Sequence, residues 1–291
     1  MPPQPWLTEQ FEASRSHLKA VAYRMLGSLG EAEDAVQEAW LRLNRSELSK
    51  VENLAGWLTT VVARVCLDVL RSRKSRSEEE LDDQCAVPAL QTRINPEQEA
   101  MLAESVGLAL LVVMEKLTPA ERLAFVLHDM FGVSFEDIAE MIDRTPVATR
   151  QLASRARRRV QGVEVAASAS LSQQRAVVEA FLAALRAGDM QGILAVLDPN
   201  VVRRADPGAA ASAPREIHGA IAVTEEALKN VARAQLAQVV LIDGAVGVIV
   251  APQGKLRIAL SCRVEGEKIV EFEVIGDPAR LSRLDIALLP D

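Results

Sequence analysis

The chain has 291 residues, of which 49% are hydrophobic and 25% are charged, proportions typical of a folded protein with enough apolar side chains for two or three domains. Its 33 basic and 40 acidic side chains give a net charge of −7, which excludes nucleic-acid binding by overall charge and requires any such contact to be local. Only 3% of the residues are aromatic, so the cores must be mainly aliphatic, which favours helices.

The cysteines and the apolar runs narrow the class of protein. Cys66, Cys85 and Cys262 are far apart and odd in number, which fits neither a disulfide framework nor a zinc site and favours a reducing compartment. No apolar run approaches the roughly 18 residues of a membrane span, and the first residues do not resemble a secretion signal. We therefore expect a cytoplasmic protein with no membrane contact.

Three helices are predicted in the N-terminal part of the chain. Apolar spacing places them near residues 8–27, 31–44 and 53–73, within a predicted all-α domain over residues 8–76. The third helix ends in a basic cluster, which consists of Arg64, Arg71, Arg73, Lys74 and Arg76. Such a cluster suits phosphate contacts, but cations near the last carbonyls also stabilise any helix through its dipole, so both interpretations stay open.

An acidic linker is predicted over residues 77–99, because this segment has seven acidic residues, one arginine and two prolines. A second all-α domain is predicted over residues 100–162. Its helices are predicted near residues 97–116, 119–130, 134–142 and 146–160. Capping residues and prolines place the helix starts, at Asn95–Pro96, Thr118–Pro119, Ser134 and Thr145–Pro146.

The last two helices of this domain, with the turn at 143–145, have the pattern of a helix-turn-helix. Residues 144–160 contain six arginines and no acidic residue, which suits contact with phosphates and guanine edges in a major groove. The predicted base contacts are Thr149, Arg150, Gln151, Ser154 and Arg155, and the predicted phosphate contacts are Arg157, Arg158 and Arg159. A solvated basic face is the alternative.

After a predicted linker over residues 163–172, the pattern changes to α+β over residues 173–291. Helices are predicted near residues 173–187, 189–197 and 219–233. Strands are predicted near residues 238–242, 245–251, 256–264 and 268–275, and we expect them to form an antiparallel sheet. The predicted architecture is therefore multidomain, with two all-α domains followed by an α+β domain.

Four side chains of the last domain are candidates for acid–base chemistry: His218, Asp206, Glu271 and Glu273. The two glutamates alternate with apolar residues and so share one sheet face, for which solvent is the favoured interpretation. A surface position is also favoured for His218. We find no catalytic constellation, and we predict that the protein is not an enzyme and holds no metal or cofactor.

Two motifs resemble a known family. Residues 32–43 (AEDAVQEAWLRL) and 56–71 (GWLTTVVARVCLDVLR) resemble domain 2 of the extracytoplasmic-function (ECF) sigma factors of bacterial RNA polymerase. Residues 117–132 (LTPAERLAFVLHDMFG), with the helix-turn-helix after them, resemble domain 4 of the same family. The resemblance covers residues 11–160, with both motifs in the family's order and the linker between them.

The resemblance implies a set of contacts with RNA polymerase core enzyme and promoter DNA. The helix that contains residues 33–43 would dock on the polymerase clamp, with Asp34, Gln37, Glu38 and Arg42 as the polar contacts and Val36, Trp40 and Leu43 packed inward. The opened −10 element would be bound by Asn44, Arg45, Lys50, Asn53, Arg64, Arg71 and Arg73. The predicted helix-turn-helix would read the −35 element. The linker would thread the polymerase's basic active-site path, or serve only as a charged spacer.

Residues 173–291 resemble a SnoaL-like, NTF2-fold domain in three short motifs, at 178–189, 194–202 and 275–281. The resemblance implies a cone-shaped domain around a cavity, which could hold a small-molecule ligand. Where many fused relatives carry Asp-Gly-Gly-Gly, this chain has Asp206-Pro-Gly-Ala, so its regulatory contacts are expected to differ.

The sequence therefore predicts a sigma factor that brings core RNA polymerase to specific promoters, with a C-terminal domain that regulates it in cis. Two alternatives stay open. A one-component, ligand-responsive repressor would use only the helix-turn-helix on DNA, but would leave the helices of residues 31–76 without a function. An active SnoaL-type enzyme fused to the sigma domains is the other alternative.

Overall fold

The structure, a computed structural model, describes residues 5–45, 53–79, 107–161, 169–209 and 214–289. Lys50, Cys85, the helix start predicted at Asn95–Pro96 and most of the predicted linker lie outside these residues. The chain divides into two compact units. Unit 1 contains residues 1–106 and 116–157, and unit 2 contains residues 107–115 and 158–291. Among the described residues, no helix combines the length and apolarity needed to cross a membrane.

The helices follow the predicted order of elements closely. In the helical segments they are α1 Pro5–Leu26, α2 Leu29–Arg45, α3 Leu54–Glu79, α4 Leu108–Glu115, α5 Pro119–Phe125, α6 Phe135–Ile142 and α7 Pro146–Gln161. In the C-terminal domain they are α8 Ala169–Ala187, α9 Met190–Val196, α10 Ala220–Leu228, α11 Val231–Ala234 and α12 Pro278–Leu281. A π-helical turn, Val126–Met130, continues α5, so the helix predicted over residues 119–130 is present in two parts.

The first three helices pack around a core of aliphatic side chains. Leu18, Val21, Leu58 and Val62 are completely buried in it. The three predicted helices are all present, and α3 extends to Glu79, beyond the residue at which the linker was predicted to begin. Burial of so much apolar surface stabilises these long helices more than their intrinsic propensities do.

Side-chain caps begin the helices of the helix-turn-helix segment where the sequence predicts them. Thr118 and Glu121 form a reciprocal capping box at the start of α5. The Ser134 hydroxyl accepts a hydrogen bond from the Asp137 amide at 3.1 Å, and Thr145 accepts from the Ala148 amide at 3.2 Å. Asp143 ends α6 in the left-handed conformation, with φ 53°, which turns the chain into α7.

The described residues of the C-terminal domain form one seven-stranded sheet, in the order β2-β1-β6-β5-β4-β3-β7. Its strands are β1 Leu197–Ala205, β2 Glu216–His218, β3 Ala237–Ile242, β4 Ala245–Val250, β5 Ile258–Glu265, β6 Lys268–Ile275 and β7 Ile286–Ala287. The order of two helical segments and an α+β domain is thus confirmed. The four predicted strands, β3 to β6, pair antiparallel with one another, as expected. The full sheet is mixed, because β1, which was not predicted, is parallel to β6.

The sequence analysis missed β1, β2 and β7. Asp198, Pro199 and Asn200 interrupt the apolar pattern of β1, and the register between β1 and β6 shifts in the same stretch, between Leu197 and Val202. The helix predicted over residues 219–233 is also broken, at Lys229 and Asn230, into α10 and α11. The core lies between α8 and the sheet, where the rings of Phe181 and Phe272 are 4.9 Å apart.

Helix α4 packs within unit 2 against the C-terminal domain. The Ala109 amide at its first turn donates a hydrogen bond to Oε1 of Gln238 on β3. Leu111 lies so close to Gly254 that a Cβ atom added there would be 3.1 Å from the Leu111 side chain. The last turn of α7 also contacts this domain, since the Leu288 amide donates to the Val160 carbonyl at 2.9 Å. The boundary between the units falls within α7, after Arg157.

Cys66 and Cys262 are buried free thiols, one in each unit. Burial raises the pKa of both thiols to about 12, so both are protonated and unreactive at neutral pH.

Candidate nucleic-acid interface

Helix α7 presents one face to the core and another to solvent. Ala153, Ala156 and Val160 are buried on its inner face. Thr149 lies on the same face, is 0% exposed, and its hydroxyl donates to the Thr145 carbonyl at 3.1 Å. Because this side chain has no exposed surface to offer a base, we leave Thr149 out of the proposed contact set.

The outer face of α7 carries most of the predicted DNA contacts. Arg150, Gln151, Arg155, Arg158 and Arg159 are exposed, and Ser154 and Arg157 are half-buried. The Arg150 guanidinium lies 5.1 Å from the centre of the Phe135 ring, and the His128 ring stacks on Phe135 with its centre 3.7 Å away. This cation–π contact orients Arg150 while its hydrogen-bond donors remain available.

Two arginines of α7 have acidic partners on the helices behind them. Arg155 Nε lies 3.3 Å from Oε1 of Glu121, whose side chain is only 5% exposed and also caps α5. Arg157 pairs with Asp129 in the π-helical turn. Both pairs position α7 on the helices that support it, so these arginines contribute to the structure of the helix-turn-helix as well as to its charge.

Val147 is an exposed residue that the sequence analysis missed. It is the second residue of α7, and it is 63% exposed. The first residues of a recognition helix approach base edges most closely, and an apolar side chain there can contact the methyl group of thymine. The signal in the sequence is an apolar residue directly after the capping Thr145 and Pro146, at a position where a helix on the surface usually carries a polar side chain.

The polar face of α2 is exposed, as predicted. Asp34, Gln37 and Arg42 are exposed, and Glu38 is half-buried and pairs with Arg42 at 2.9 Å. On the opposite face Ala35, Val36, Ala39 and Leu43 are buried, and Trp40 packs its ring 4.8 Å from that of Phe11. The four polar side chains therefore form a continuous surface on one helix.

The residues at the end of α2 and the start of α3 form hydrogen bonds with nearby backbone groups. Asn44 is exposed, and its Nδ2 donates to the Trp40 carbonyl at 2.9 Å. Arg45 is exposed at the end of α2. Asn53 is also exposed, and its Oδ1 accepts from the Gly56 amide at 3.0 Å, so it caps the start of α3.

The three predicted arginines of α3 differ in their surroundings. Arg64 and Arg71 are exposed. Arg73 is half-buried, donates to the Leu26 carbonyl at 3.2 Å and pairs with Glu31. Since Arg73 ties the end of α3 to the turn between α1 and α2, we leave it out of the proposed DNA contacts.

Within unit 1 the first three helices contact the helix-turn-helix segment directly. Arg122 on α5 is 4% exposed, and its Nε and Nη2 donate to the Arg24 carbonyl at 3.3 and 3.2 Å. The Arg24 guanidinium lies 5.2 Å from the centre of the Phe131 ring. Arg64 donates to the Glu140 carbonyl at the end of α6, at 3.4 Å. Arg64, one of the predicted −10 contacts, is therefore hydrogen-bonded to the helix-turn-helix segment.

The acid–base candidates of the C-terminal domain have structural partners. Asp206 is buried and accepts hydrogen bonds from the amides of Gly276, Asp277 and Ala209. Burial alone would raise the pKa of Asp206, but these hydrogen bonds and Arg280 together lower it below its usual value.

The other three candidates lie outside the domain's interior. Glu271 pairs with Arg204 and Arg263, and Glu273 pairs with Arg280, all on the sheet face opposite to Phe272. The His218 side chain is 68% exposed and lies 3.1 Å from Glu216. Asp206 and Glu273 share Arg280, and Arg204 joins Glu271 to Glu216, the partner of His218. Arginine ion pairs therefore hold the carboxylates of these candidates in place.

A cavity of about 150 Å³ lies in the C-terminal domain and is lined by α8, α10, α11 and the sheet. Its walls are mainly apolar, with Phe181, Leu260 and Phe272 among them, and Arg203, Glu226 and Arg233 are its charged residues. The acid–base candidates are not among the described residues that line it.

Two family models match the chain, Sigma-70 region 2 over residues 10–76 and Sigma-70, region 4 over residues 107–160. The probable ECF RNA polymerase sigma factor SigI of Mycobacterium tuberculosis is 40% identical over 198 residues, which are 67% of this chain and 68% of that protein. The ECF RNA polymerase sigma factor SigJ of the same organism is 39% identical over 214 residues, which are 72% of this chain and 68% of that protein.

These matches define an RNA polymerase sigma factor, a class of protein that is not enzymatic. The chain belongs to the ECF sigma factor family.

Solved structures are also similar to the chain. A crystal structure of Mycobacterium tuberculosis SigJ is 30% identical and covers 94% of this chain and 98% of that chain, with a TM-score of 0.45. An NTF2-like protein from Burkholderia xenovorans LB400 is 17% identical and covers 40% of this chain and 99% of that chain, with a TM-score of 0.28.

Proposed function

We propose that the exposed face of α7 reads the −35 element of a promoter in the major groove. The observation that carries this proposal is the alignment of Arg150, Gln151, Ser154 and Arg155 on one face of a capped helix whose other face is buried. Arg157, Arg158 and Arg159 follow on the same helix and suit phosphates. Val147 adds an apolar contact at the start of the helix.

The α2 face of Asp34, Gln37, Glu38 and Arg42 is the proposed contact with core RNA polymerase. Asn44, Arg45, Asn53, Arg64 and Arg71 are the proposed contacts with the opened −10 element, and Lys50 stays a prediction from the sequence. A sigma factor acts where the chromosome and RNA polymerase are, so we place this protein in the cytoplasm.

Unit 1 has to open when both promoter elements are read at once. The two elements are roughly 25 base pairs apart, which is about 85 Å of B-form DNA at about 3.4 Å per base pair. Even the longest helix, α3 with 26 residues, is only about 39 Å long at 1.5 Å per residue. On this proposal, the contacts that Arg64 and Arg122 make between these segments break when the protein binds both elements at once.

The C-terminal domain is the proposed regulator in cis, and its cavity is the proposed site of a small-molecule ligand. Support comes from two contacts within unit 2, the one between Gln238 and the start of α4 and the one between Leu288 and the end of α7. Both helices lie in the segment that matches sigma region 4. A domain that holds the two ends of this segment can control how it meets the promoter.

A one-component repressor is the second candidate, because the helix-turn-helix and a ligand domain would suffice for it. It leaves the exposed polar face of α2 without a function. Binding of purified core RNA polymerase separates the two, since a repressor does not need it.

Transcription by reconstituted polymerase on a promoter panel tests the −35 assignment. Arg150→Ala is expected to lose roughly 1–3 kcal/mol of binding and to relax the preference at one −35 position. Arg158→Ala is the matched control on the same helix, and it should weaken binding evenly on all promoters and flatten the salt dependence. If both variants behave like the unmodified protein, the groove assignment is wrong.

The role of the C-terminal domain is tested with the full chain rather than a truncation, because removal of the domain would expose the apolar side chains of α4. Gly254→Ala places a methyl group against Leu111 at a backbone φ of +71° and so weakens the docking of α4. Gly266→Ala is the matched control, since it has a similar φ of +59° but no atom within 4 Å. Equal promoter-dependent transcription by both variants would contradict regulation through α4.

A further inference from the structure

The size of the cavity in the C-terminal domain restricts what it can hold. Its volume is about 150 Å³. An apolar cavity of about this volume in a protein core takes a benzene-sized molecule, whereas sites for drug-sized ligands are roughly 300–1,000 Å³. The volume therefore favours a benzene-sized group over a polycyclic one. The apolar walls, which include Phe181, Leu185, Val248, Leu260 and Phe272, suit a single ring or a short branched chain.

The strand β1 points one arginine into this cavity. Arg203 is paired across the parallel ladder with Phe272, and cross-strand partners point to the same sheet face, so Arg203 lies on the cavity side. Its Nη1 donates to the Pro214 carbonyl at 2.9 Å, and the described part of the chain offers its other guanidinium donors no hydrogen-bond partner, so a ligand can take them. Burial lowers the pKa of Arg203, and Glu226 acts in the opposite direction. A partly desolvated guanidinium of this kind binds an anion more strongly than an exposed one.

The charged side chains that line the cavity carry a net positive charge. Arg233 also lines it, and so does Glu226. The Glu226 carboxylate is already paired with Lys229 at 2.8 Å, outside the cavity lining. The positive charge of Arg203 and Arg233 is therefore larger than the negative charge that Glu226 can supply. Asn230 also lines the cavity, and its Oδ1 accepts a hydrogen bond from Nη1 of Arg233 at 3.2 Å.

We propose that this cavity binds a small monocarboxylic acid, with a single ring or short branched chain against the apolar wall and the carboxylate at Arg203 and Arg233. The site is separate from the polymerase and DNA contacts. Its regulatory meaning rests on the proposed function of the C-terminal domain in cis.

The sheet connects the cavity to the docked helix α4. Ala237 and Gln238 are neighbours on β3, and successive side chains of a strand point to opposite faces. Ala237 lines the cavity, while Gln238 accepts the hydrogen bond from the first turn of α4. On the next strand Val250 lines the cavity, and the turn that follows it brings Gly254 against Leu111. A ligand that displaces β3 or β4 therefore changes the contacts that hold α4.

The test uses the full-length protein and benzoate as the probe, without polymerase or DNA. Isothermal titration calorimetry at fixed ionic strength is expected to show one benzoate per chain. Benzyl alcohol, which has the same ring and no charge, should bind at least about tenfold more weakly, because it lacks the charge-assisted hydrogen bonds. Hydrogen exchange of residues 108–115 should change on addition of benzoate, while that of residues 135–142 should not.

Neighbouring residues on β1 supply a matched pair of variants. Arg203→Gln should weaken benzoate binding at least about tenfold. Arg204→Gln removes an arginine from the opposite sheet face, where it pairs with Glu271, and should leave binding within about twofold. Val250→Phe fills the cavity from an apolar position and should abolish binding without any change in charge, which keeps the test valid if Arg203→Gln does not fold.

Three results would overturn the proposal. These are no benzoate binding by the unmodified protein, equal binding of benzoate and benzyl alcohol, and undiminished binding by Val250→Phe. Benzoate binding without a change in exchange at residues 108–115 would overturn the connection to α4. Because polymerase is absent from the experiment, none of these results bears on the sigma factor function, which transcription measures separately.

Discussion

Helix α4 and the helices that follow it match the same family segment but pack in different units. The match to sigma region 4 covers residues 107–160, yet residues 107–115 pack with the C-terminal domain and residues 116–157 pack with the first three helices. The α4 sequence, LALLVVME, is apolar on nearly all sides. The helices of residues 116–157 instead carry specific polar contacts, such as that of Arg122 with the Arg24 carbonyl.

The contrast between α4 and the helices after it has a physical reason. Any complementary apolar surface can cover an all-apolar helix, whereas a buried arginine needs a particular hydrogen-bond acceptor. The apolar sequence of α4 predicts that this helix is buried but does not specify which part of the protein covers it. For that reason α4 is the part of the sigma region that a fused domain can hold without a change in its sequence.

Two core substitutions should have the largest effects, and together they test whether α4 packs in unit 2 while α5 packs in unit 1. Leu111→Ala on α4 and Leu123→Ala on α5 remove side chains that are 1% and 0% exposed, and each should cost about 2–5 kcal/mol of unfolding free energy. Leu111→Ala should destabilise unit 2, and Leu123→Ala should destabilise unit 1. All three tryptophans, Trp6, Trp40 and Trp57, belong to unit 1, so urea unfolding followed by tryptophan fluorescence reports that unit.

Hydrogen exchange of the sheet strands β5 and β6 reports unit 2 in the same experiment. Leu111→Ala could instead lower the urea midpoint measured by tryptophan fluorescence and leave the hydrogen exchange of β5 and β6 unchanged. In that case α4 would pack in unit 1, and its assignment to unit 2 would be wrong.

Acid should destabilise unit 2 through Asp206, and α4 should unfold with it. The pKa of Asp206 is lower in the folded protein than its usual value, so as the pH falls the unfolded chain takes up a proton first. The stabilisation is therefore complete above about pH 4 and is lost as the pH falls further, through the folded-state pKa. Hydrogen exchange of residues 108–115 and 268–275 should rise together in this range.

Asp206→Asn is the control for this pH dependence. It should lose about 1–3 kcal/mol at neutral pH, because one carboxylate oxygen that accepts backbone hydrogen bonds is replaced, and its stability should vary less below about pH 4. An identical acid profile for Asp206→Asn and the unmodified protein would exclude this carboxyl group as the cause.

Arg155 and Arg150 should separate the structural from the DNA-binding role of α7. Arg155→Ala leaves the buried Glu121 carboxylate without one partner and should cost about 1–2 kcal/mol of unit 1 stability, since the arginine itself is half-exposed. Arg150→Ala should change stability by less than about 0.5 kcal/mol. Tryptophan fluorescence in urea measures both, and equal stability of the two variants would contradict the structural role of the Arg155–Glu121 pair.

The smallest expected effect concerns the hydrogen bond that holds the first turn of α4. Gln238→Ala should cost about 0.5–1.5 kcal/mol and increase hydrogen exchange at residues 108–111. Gln235→Ala, a glutamine that instead donates to the Arg186 carbonyl, is the matched control and should leave exchange at α4 unchanged. Similar exchange in the two variants would show that Leu111, and not this hydrogen bond, holds the helix.

Much of the candidate site could be predicted because its signals are local. Capping by Thr118, Ser134 and Thr145 depends on residues within three positions, and the structure confirms each hydrogen bond. The exposed arginines of α7 follow from helical periodicity in the same way. In contrast, Arg73 had the same charge and spacing as its neighbours, and only its distant partners Leu26 and Glu31 distinguish it.

Most of the helices, their caps, the basic face of α7 and the family of the protein follow from the sequence, because each signal lies in residues close together in the chain. The parallel pairing of β1 with β6, the burial of Thr149 and the packing of α4 with the C-terminal domain do not follow from it. The physical reason is that apolar burial is non-directional, so a local pattern specifies that a surface is covered and only the assembled fold specifies by what.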